Sequence, residues 1–372
     1  MLNKFLSESL DEQMLRFKFA SQFPDYLKIK TKGIIVVGAS AEGIRLISLC
    51  DLNNIKVHLV CDGDLNKQKR VVADKYIIMP VINALDFGDD IPIIIASHKG
   101  FKAINELKML GVKCVIPFAV LQILFADKFK PHMFYRNWIE SLLLLRDKYN
   151  SLKSLFADET SKATLEAIFN YRFTFDDTYL FGLYASDPYM LGDIVEFNND
   201  GVYIDGGAFD GDSINHYIHR AQGKYSKILA FEPDPNTFIK LKKNMRKFPN
   251  VIAYQTALFS CTTTLRFNSD ESRASLISNE GNVEINTVTI DEVLSGNPVT
   301  YIKLNVEGAE IHAINGAKES IKRYRPILAI AAYHSPEHIW EVAELIKKTN
   351  PNYKLYLRQH DFGSVETVVY AI

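Results

Sequence analysis

Short apolar runs alternate along this chain with segments whose apolar positions recur at helical spacing, and the alternation comes in two series. In the first, residues 34–37, 56–61, 91–96 and 113–117 read as buried strands, with helical patterns over 38–49 and 100–110 between them. Strand and helix in turn predict a parallel sheet wound on both faces, here within residues 31–120. The second series fills residues 198–372, with strands expected at 202–205, 227–232, 251–255, 301–305, 327–332, 354–358 and 367–371. Helices are expected near 213–222, 235–247, 308–322 and 336–348, and residues 262–268 and 283–289 alternate like a hairpin excursion.

The rest of the chain reads as helical. Residues 1–30 form an N-terminal arm, with Leu10, Met14, Leu15 and Phe19 at helical spacing before the pattern loosens at Pro24. Residues 121–197 form a connector or lid, in which Leu142, Leu145 and Tyr149 share a face. Asp158–Lys162 supplies oxygen side chains to cap a helix start. Tyr189 lies just before the second sheet, where it would either cover a ligand or join the core.

The first strand of the second series ends on Asp205 and breaks into Gly206, Gly207 and Gly211 before Asp212 opens a helix. Glycine lets backbone approach a ligand without a Cβ, and a helix N-terminus presents unpaired N–H groups. The next strand ends on Glu232, where an acid accepts ribose hydroxyls. The spacing Asp-x-Gly-x-x-x-Gly differs from that of dinucleotide sites. An acid on the first strand suits a ligand with a cationic amino group, such as S-adenosylmethionine, and a bare structural turn is the alternative.

In the first series Gly38 and Gly43, with Asp62 beyond the second strand, form a degenerate dinucleotide fingerprint whose middle glycine is replaced by Ser40. The runs 61–67, 79–81 and 93–97 resemble the small Rossmann-like domain that precedes the catalytic part of some sugar-nucleotide-modifying acetyltransferases. That resemblance implies recognition of a nucleotide-sugar or similar carrier, with Ser40, Asp62 and His98 near the strand ends; a domain without a ligand is the alternative.

Composition narrows the classes. The chain has 372 residues, enough for two or three domains, and its 47% hydrophobic content suits sizeable cores. With 43 basic against 44 acidic residues, nothing calls for nucleic acid or an anionic membrane as partner. Cys50, Cys61, Cys114 and Cys261 lack metal-ligand spacing and read as reduced core residues of a cytoplasmic protein. No residues are assigned to a metal. The aliphatic cluster 142–145 is far short of the ~20 residues a membrane helix needs.

Five ordered motifs then become specific: Asp205–Gly211, Phe231-Glu-Pro233, Lys303–Glu310 followed by Asn315-Gly-Ala317, Tyr333-His334 before Pro336 and Glu337, and Glu366–Tyr370. Together they make residues 155–372 resemble the FkbM family of S-adenosylmethionine-dependent methyltransferases. Added to the first series, this gives two Rossmann-like doubly wound α/β domains joined by a helical segment. The C-terminal one would be a seven-stranded class I methyltransferase sheet, transferring methyl to a hydroxyl of a sugar-containing or related small metabolite. It implies that Asp205, Gly206, Gly207, Gly211 and Asp212 hold the amino-acid end of the cofactor. Glu232 would hold the ribose, and Ala257 and Leu258 would flank the adenine, with Asn305 at the same edge. Asn305 stands where the family usually has Asp, and an amide is neither a general base nor a good ligand for a hard cation.

For acceptor chemistry the candidates are His334 and Glu307, both just past central strands, where an open α/β sheet places its ligands. An imidazole can take a hydroxyl proton near neutral pH. His334 could equally cap a helix or sit in the core, Glu307 could bind amides of its own loop, and Lys303 could pair with Glu307. Two rival readings stand beside the methyltransferase: a regulatory nucleotide-sugar-binding protein with a vestigial second domain, and an NAD enzyme using Gly38, Gly43 and Asp62. A homodimer through an edge strand or the helical middle is left open.

Overall fold

The computed structural model describes residues 2–192, 194–195, 197, 200–267, 283–363 and 365–372. Asn199 of the turn before the second sheet, and Asn268 of the expected hairpin, lie outside them. The chain divides into two compact units, one of residues 1–147, 167–181 and 361–365, the other of 148–166, 182–360 and 366–372. The residues expected as a helical connector are thus shared between the units.

In the first unit β1 (Ile34–Val37) and β2 (Val57–Cys61) pair in parallel, and β1 also pairs in parallel with β5 (Ile93–Ile95). With β3 (Val71–Val72), β4 (Tyr76–Met79) and β6 (Val115–Pro117) the order is β3-β4-β2-β1-β5-β6. Ile35, Val37, Ile93 and Ile95 build its core, as their runs predict. The hairpin of β3 and β4 is not visible in the sequence. Its turn residues Ala73 and Asp74 both adopt positive φ (50° and 51°), a conformation usually signalled by Asn-Gly or Asp-Gly.

At Gly38, with φ 109°, a Cβ would sit 2.8 Å from the Ala96 carbonyl oxygen. Asp62 turns inward, accepting the Ala39 N–H at 2.8 Å and the Asp64 N–H at 2.9 Å. Lys67 bridges Asp62 (3.2 Å) and Ser40 (2.7 Å). Burial would raise the Asp62 carboxyl, but these backbone N–H groups and Lys67 hold it below its ordinary range.

The second unit contains β7 (Val202–Gly206), β8 (Lys227–Phe231), β9 (Val251–Tyr254), β10 (Ala257–Leu258), β11 (Thr263–Phe267) and β12 (Val283–Val288). It continues with β13 (Tyr301–Leu304), β14 (Ile327–Ala331), β15 (Leu355–Gln359) and β16 (Thr367–Ala371). Its main sheet has seven strands in the order β15-β16-β14-β13-β7-β8-β9, with β16 antiparallel to both neighbours. The strand order reverses at β7, between β8 and β13. β11 and β12 pair antiparallel, as the alternation predicts, and β10 joins them.

The helix expected over 308–322 is broken into Glu310–Asn315 and Lys318–Tyr324. A Cβ on Gly316 would come within 2.1 Å of the Phe259 carbonyl, so glycine there lets two backbones touch. Asp158 caps its helix as expected, accepting the Ser161 N–H at 2.8 Å, and also holds Arg358 at 2.6 Å. Tyr189 belongs to the core: it is 6% exposed, its N–H donates to the Tyr370 hydroxyl, and Lys303 lies over its ring.

The cysteines depart from expectation at one position. Cys50, Cys61 and Cys114 are buried, and burial pushes each thiol up to about 12. Cys261 is exposed, because it sits between Ser260 and Thr262 in the polar turn that joins β10 to β11. Among the described residues no helix is long and apolar enough to cross a membrane.

Candidate active site

The turn after β7 is held from below. Asp205 is fully buried, and its carboxylate accepts from Lys303 Nζ at 2.8 Å, Ser213 Oγ at 2.6 Å and the Tyr203 hydroxyl at 3.0 Å. Burial raises the Asp205 carboxyl, and these three donors oppose that shift. Lys303 Nζ also donates to the carbonyls of Gly206 (3.2 Å) and Gly207 (2.8 Å). Lys303 therefore pairs with Asp205 rather than with Glu307, because the two are register partners on adjacent strands. The carboxylate expected to meet a ligand's amino group is buried among three donors of its own domain.

The glycines act by close approach. At Gly207 (φ 72°) a Cβ would lie 1.9 Å from the Asn305 carbonyl oxygen, and at Gly206 a Cβ would meet Leu304, Leu258 and Val306 side chains. The N–H groups of Gly207 and Ala208 both reach the Phe231 carbonyl, at 3.0 and 2.9 Å. Gly211 (φ 95°) precedes the helix Asp212–Arg220, where Asp212 is exposed. Leu258 lies against the turn and Ala257 precedes it on β10. Asn305 joins the edge from the other side: its N–H donates to the Gly206 carbonyl at 3.0 Å, and its Oδ1 accepts the Tyr333 hydroxyl at 3.3 Å.

Glu232, 8% exposed, closes the turn from β8. One oxygen accepts the Phe209 N–H and the other the Asp234 N–H, both at 3.0 Å. The first unit repeats the device, with Asp62 accepting from the turn after β1.

Past β13 and β14 a second group gathers. His334 is 2% exposed, with Nδ1 2.9 Å from Glu310 Oε1 and Nε2 3.7 Å from Glu307 Oε2. Glu310, wholly buried, accepts the Val306 N–H at 2.8 Å and stands 3.4 Å from Nδ1 of His338. Burial alone would raise Glu310, yet His334, His338 and the Val306 N–H hold it down at about 2. Burial alone would lower His334, but Glu310 above all, then Glu307 and Glu366, raise it. His338, farther from the carboxylate, is lowered by burial. Glu307 adopts φ 52° in an exposed position beside His334.

The structure thus brings the glycines, Leu258 and Asn305 together at one end of the sheet, with His334 and Glu307 at the ends of neighbouring strands. Glu310 and His338 complete the group and were not singled out from the sequence. Their only signal is Glu310 closing the motif Glu307-Gly-Ala-Glu310 and His338 standing four residues beyond His334.

A seven-stranded sheet with one antiparallel strand, β16, next to its edge and a glycine turn after β7 matches a methyltransferase fold. Residues 205–363 match the family described as Methyltransferase FkbM domain. Those residues form an FkbM-type methyltransferase domain. It is similar to the hexuronic acid methyltransferase AglP of Haloferax volcanii, 28% identical over 145 residues, which cover 37% of this chain and 60% of that protein. The fold resembles the crystal structure of methyltransferase FkbM from Methylobacillus flagellatus KT, with a TM-score of 0.76 and 17% identity. That likeness covers 97% of this chain and 100% of the other.

Proposed function

We propose that the second unit transfers a methyl group from S-adenosylmethionine to a hydroxyl of a small sugar-containing acceptor. The observation that carries this reading is the pairing of buried His334 with Glu310, at the same end of the sheet as the glycine turn and Glu232. The hexuronic acid substrate in the name of the Haloferax relative favours a carbohydrate acceptor.

S-adenosylmethionine supplies an electrophilic methyl group when bound. Glu232, at the end of β8, binds the ribose hydroxyls. Asp205 and Lys303 keep the glycine turn in shape and make no direct contact with the cofactor, while Leu258 offers an apolar flank. On the acceptor side, neutral His334 takes the hydroxyl proton on Nε2, with Glu310 holding Nδ1 and stabilising the imidazolium that forms. Glu307, exposed beside Nε2, binds a neighbouring hydroxyl and orients the acceptor.

Calorimetric titration of the full-length protein with S-adenosylmethionine and S-adenosylhomocysteine tests the cofactor. Methyl transfer from labelled S-adenosylmethionine to hexuronic-acid and neutral-sugar glycosides tests the acceptor. Micromolar binding with transfer to a glycoside hydroxyl is expected. Absence of binding overturns the reading, and transfer to nitrogen or carbon acceptors alone overturns its hydroxyl specificity.

A further inference from the structure

Within the first unit, three potential metal ligands from distant parts of the sequence converge: Glu42, His98 and His132, each with a ligand atom within 4.8 Å of the others. Glu42 lies in the first turn of the helix Ala41–Leu52 after β1, and His98 follows β5. Because β1 and β5 are parallel neighbours, their carboxyl ends open on the same side, where such sheets bind ligands. His132 enters from the segment before the turn Met133–Tyr135.

The donors are held by other side chains. Fully buried Gln122 donates to Glu42 Oε2 at 3.4 Å and accepts the His132 backbone N–H at 2.6 Å, tying two of the three to one amide. His98 Nδ1 lies 3.0 Å from the buried Tyr135 hydroxyl, which leaves Nε2 facing Glu42 Oε2 at 3.9 Å. Metal-binding histidines are oriented by a bond of this kind at the far ring nitrogen. Arg45 reaches Glu42 at 3.0 Å from its own helix and fixes the carboxylate's direction. Phe134 closes one side, its ring centroid 4.3 Å from that of His132 and 5.0 Å from that of His98.

The 3.9 Å gap is too long for a hydrogen bond and close to the spacing of two atoms on one ion. Ligands about 2.1 Å from a tetrahedral metal stand about 3.4 Å apart, so a small rotation of the rings closes the site. Two imidazoles and one carboxylate select borderline first-row transition ions over Mg²⁺ or Ca²⁺. Three protein donors also leave a fourth position for water or an oxygen ligand.

We propose that Glu42, His98 and His132 bind a divalent transition ion of the zinc class, with one coordination position open. The proposal does not rest on the methyl-transfer reading of the second unit.

The test uses full-length protein stripped with EDTA, titrated with ZnCl₂ by calorimetry and with CoCl₂ by visible absorption. One Zn²⁺ per chain is expected, with a tetrahedral Co²⁺ spectrum and no binding of MgCl₂. His98→Ala and His132→Ala should each weaken Zn²⁺ at least about 10-fold, the lower bound for losing even an outer-shell partner, while His334→Ala leaves it unchanged. Circular dichroism checks that the variants fold; should they not, the wild-type Co²⁺ spectrum decides, and an octahedral or absent spectrum overturns the site. No Zn²⁺ binding by the wild type, equal binding in all variants, or loss in His334→Ala instead also overturns it.

Discussion

Lys303 and Asp205 face each other across β13 and β7 as register partners, and the lysine Nζ reaches the carboxylate at 2.8 Å in a fully buried pair. The same ammonium holds two carbonyls of the glycine turn. One side chain therefore neutralises the buried acid and fixes the backbone against which a cofactor would lie. Under the proposed methyl-transfer reading, Asp205 positions the turn and does not touch the cofactor.

Removing Lys303 leaves that acid uncompensated. Lys303→Met is expected to destabilise the protein by about 3–5 kcal/mol in urea unfolding and to abolish S-adenosylmethionine binding. The double variant Asp205→Asn/Lys303→Met should lose less than the two single variants added together, because the uncompensated charge is gone. Strict additivity would show that the pair does not act as a unit.

Glu232 bears on the turn differently, since its acceptor sites serve two backbone N–H groups. Glu232→Gln replaces one oxygen by a donor that faces another donor. The expected result is a loss of about 1–3 kcal/mol of stability and at least tenfold weaker S-adenosylmethionine binding by calorimetry. Unchanged affinity would remove Glu232 from the cofactor site.

The seven strands of the second sheet were legible because each is a short β-branched or aromatic run bounded by turn residues. The glycine turn was legible for the same reason. What escaped reading depends on strand order. Asp205 and Lys303 lie 98 positions apart, and only the reversal of order at β7 makes them neighbours. Along the chain Lys303 stands closer to Glu307 than to its true partner. Glu310 was likewise hidden, as a charged residue at a helix start reads as a solvated cap until the fold places His334 beside it. The β3–β4 hairpin was missed because Ala73 and Asp74 carry the left-handed turn without the expected glycine.

Gly207 tests the close approach directly. At φ 72°, with the Asn305 carbonyl 1.9 Å from a hypothetical Cβ, Gly207→Ala must shift β13 or unwind the turn. A loss of roughly 1–3 kcal/mol is expected in thermal or urea unfolding. Gly223, also at positive φ (74°) but with nothing within 4 Å, should lose less on the same substitution. Equal losses at both sites would mean that backbone strain alone, and not contact, sets the requirement at Gly207.

Acid stability should follow Glu310. Its folded value of about 2 lies below its ordinary 4.5, so its contribution is fully present above about 4.5 and is lost as pH falls toward 2. Glu310→Gln is expected to flatten the stability profile between those values in urea titrations. His334, raised in the fold, contributes in the opposite sense: its share is present below the free imidazole range and fades as pH rises through the folded value.

The same pair should set the pH dependence of turnover under the proposed reading. If His334 takes the acceptor's proton, only its neutral form works, so kcat should rise with pH through a midpoint above the imidazole's ordinary 6.5. Glu310 is the largest influence raising that midpoint. Glu310→Gln should therefore move the rise to lower pH while reducing kcat, since the neutral amide no longer stabilises the imidazolium. His334→Ala should lower kcat by about 10²–10⁴-fold and leave S-adenosylmethionine binding intact. A merely structural Glu310 would change stability without moving the midpoint. An unmoved midpoint in Glu310→Gln, or a pH profile in His334→Ala that still rises as in the wild type, would assign the proton transfer to another group.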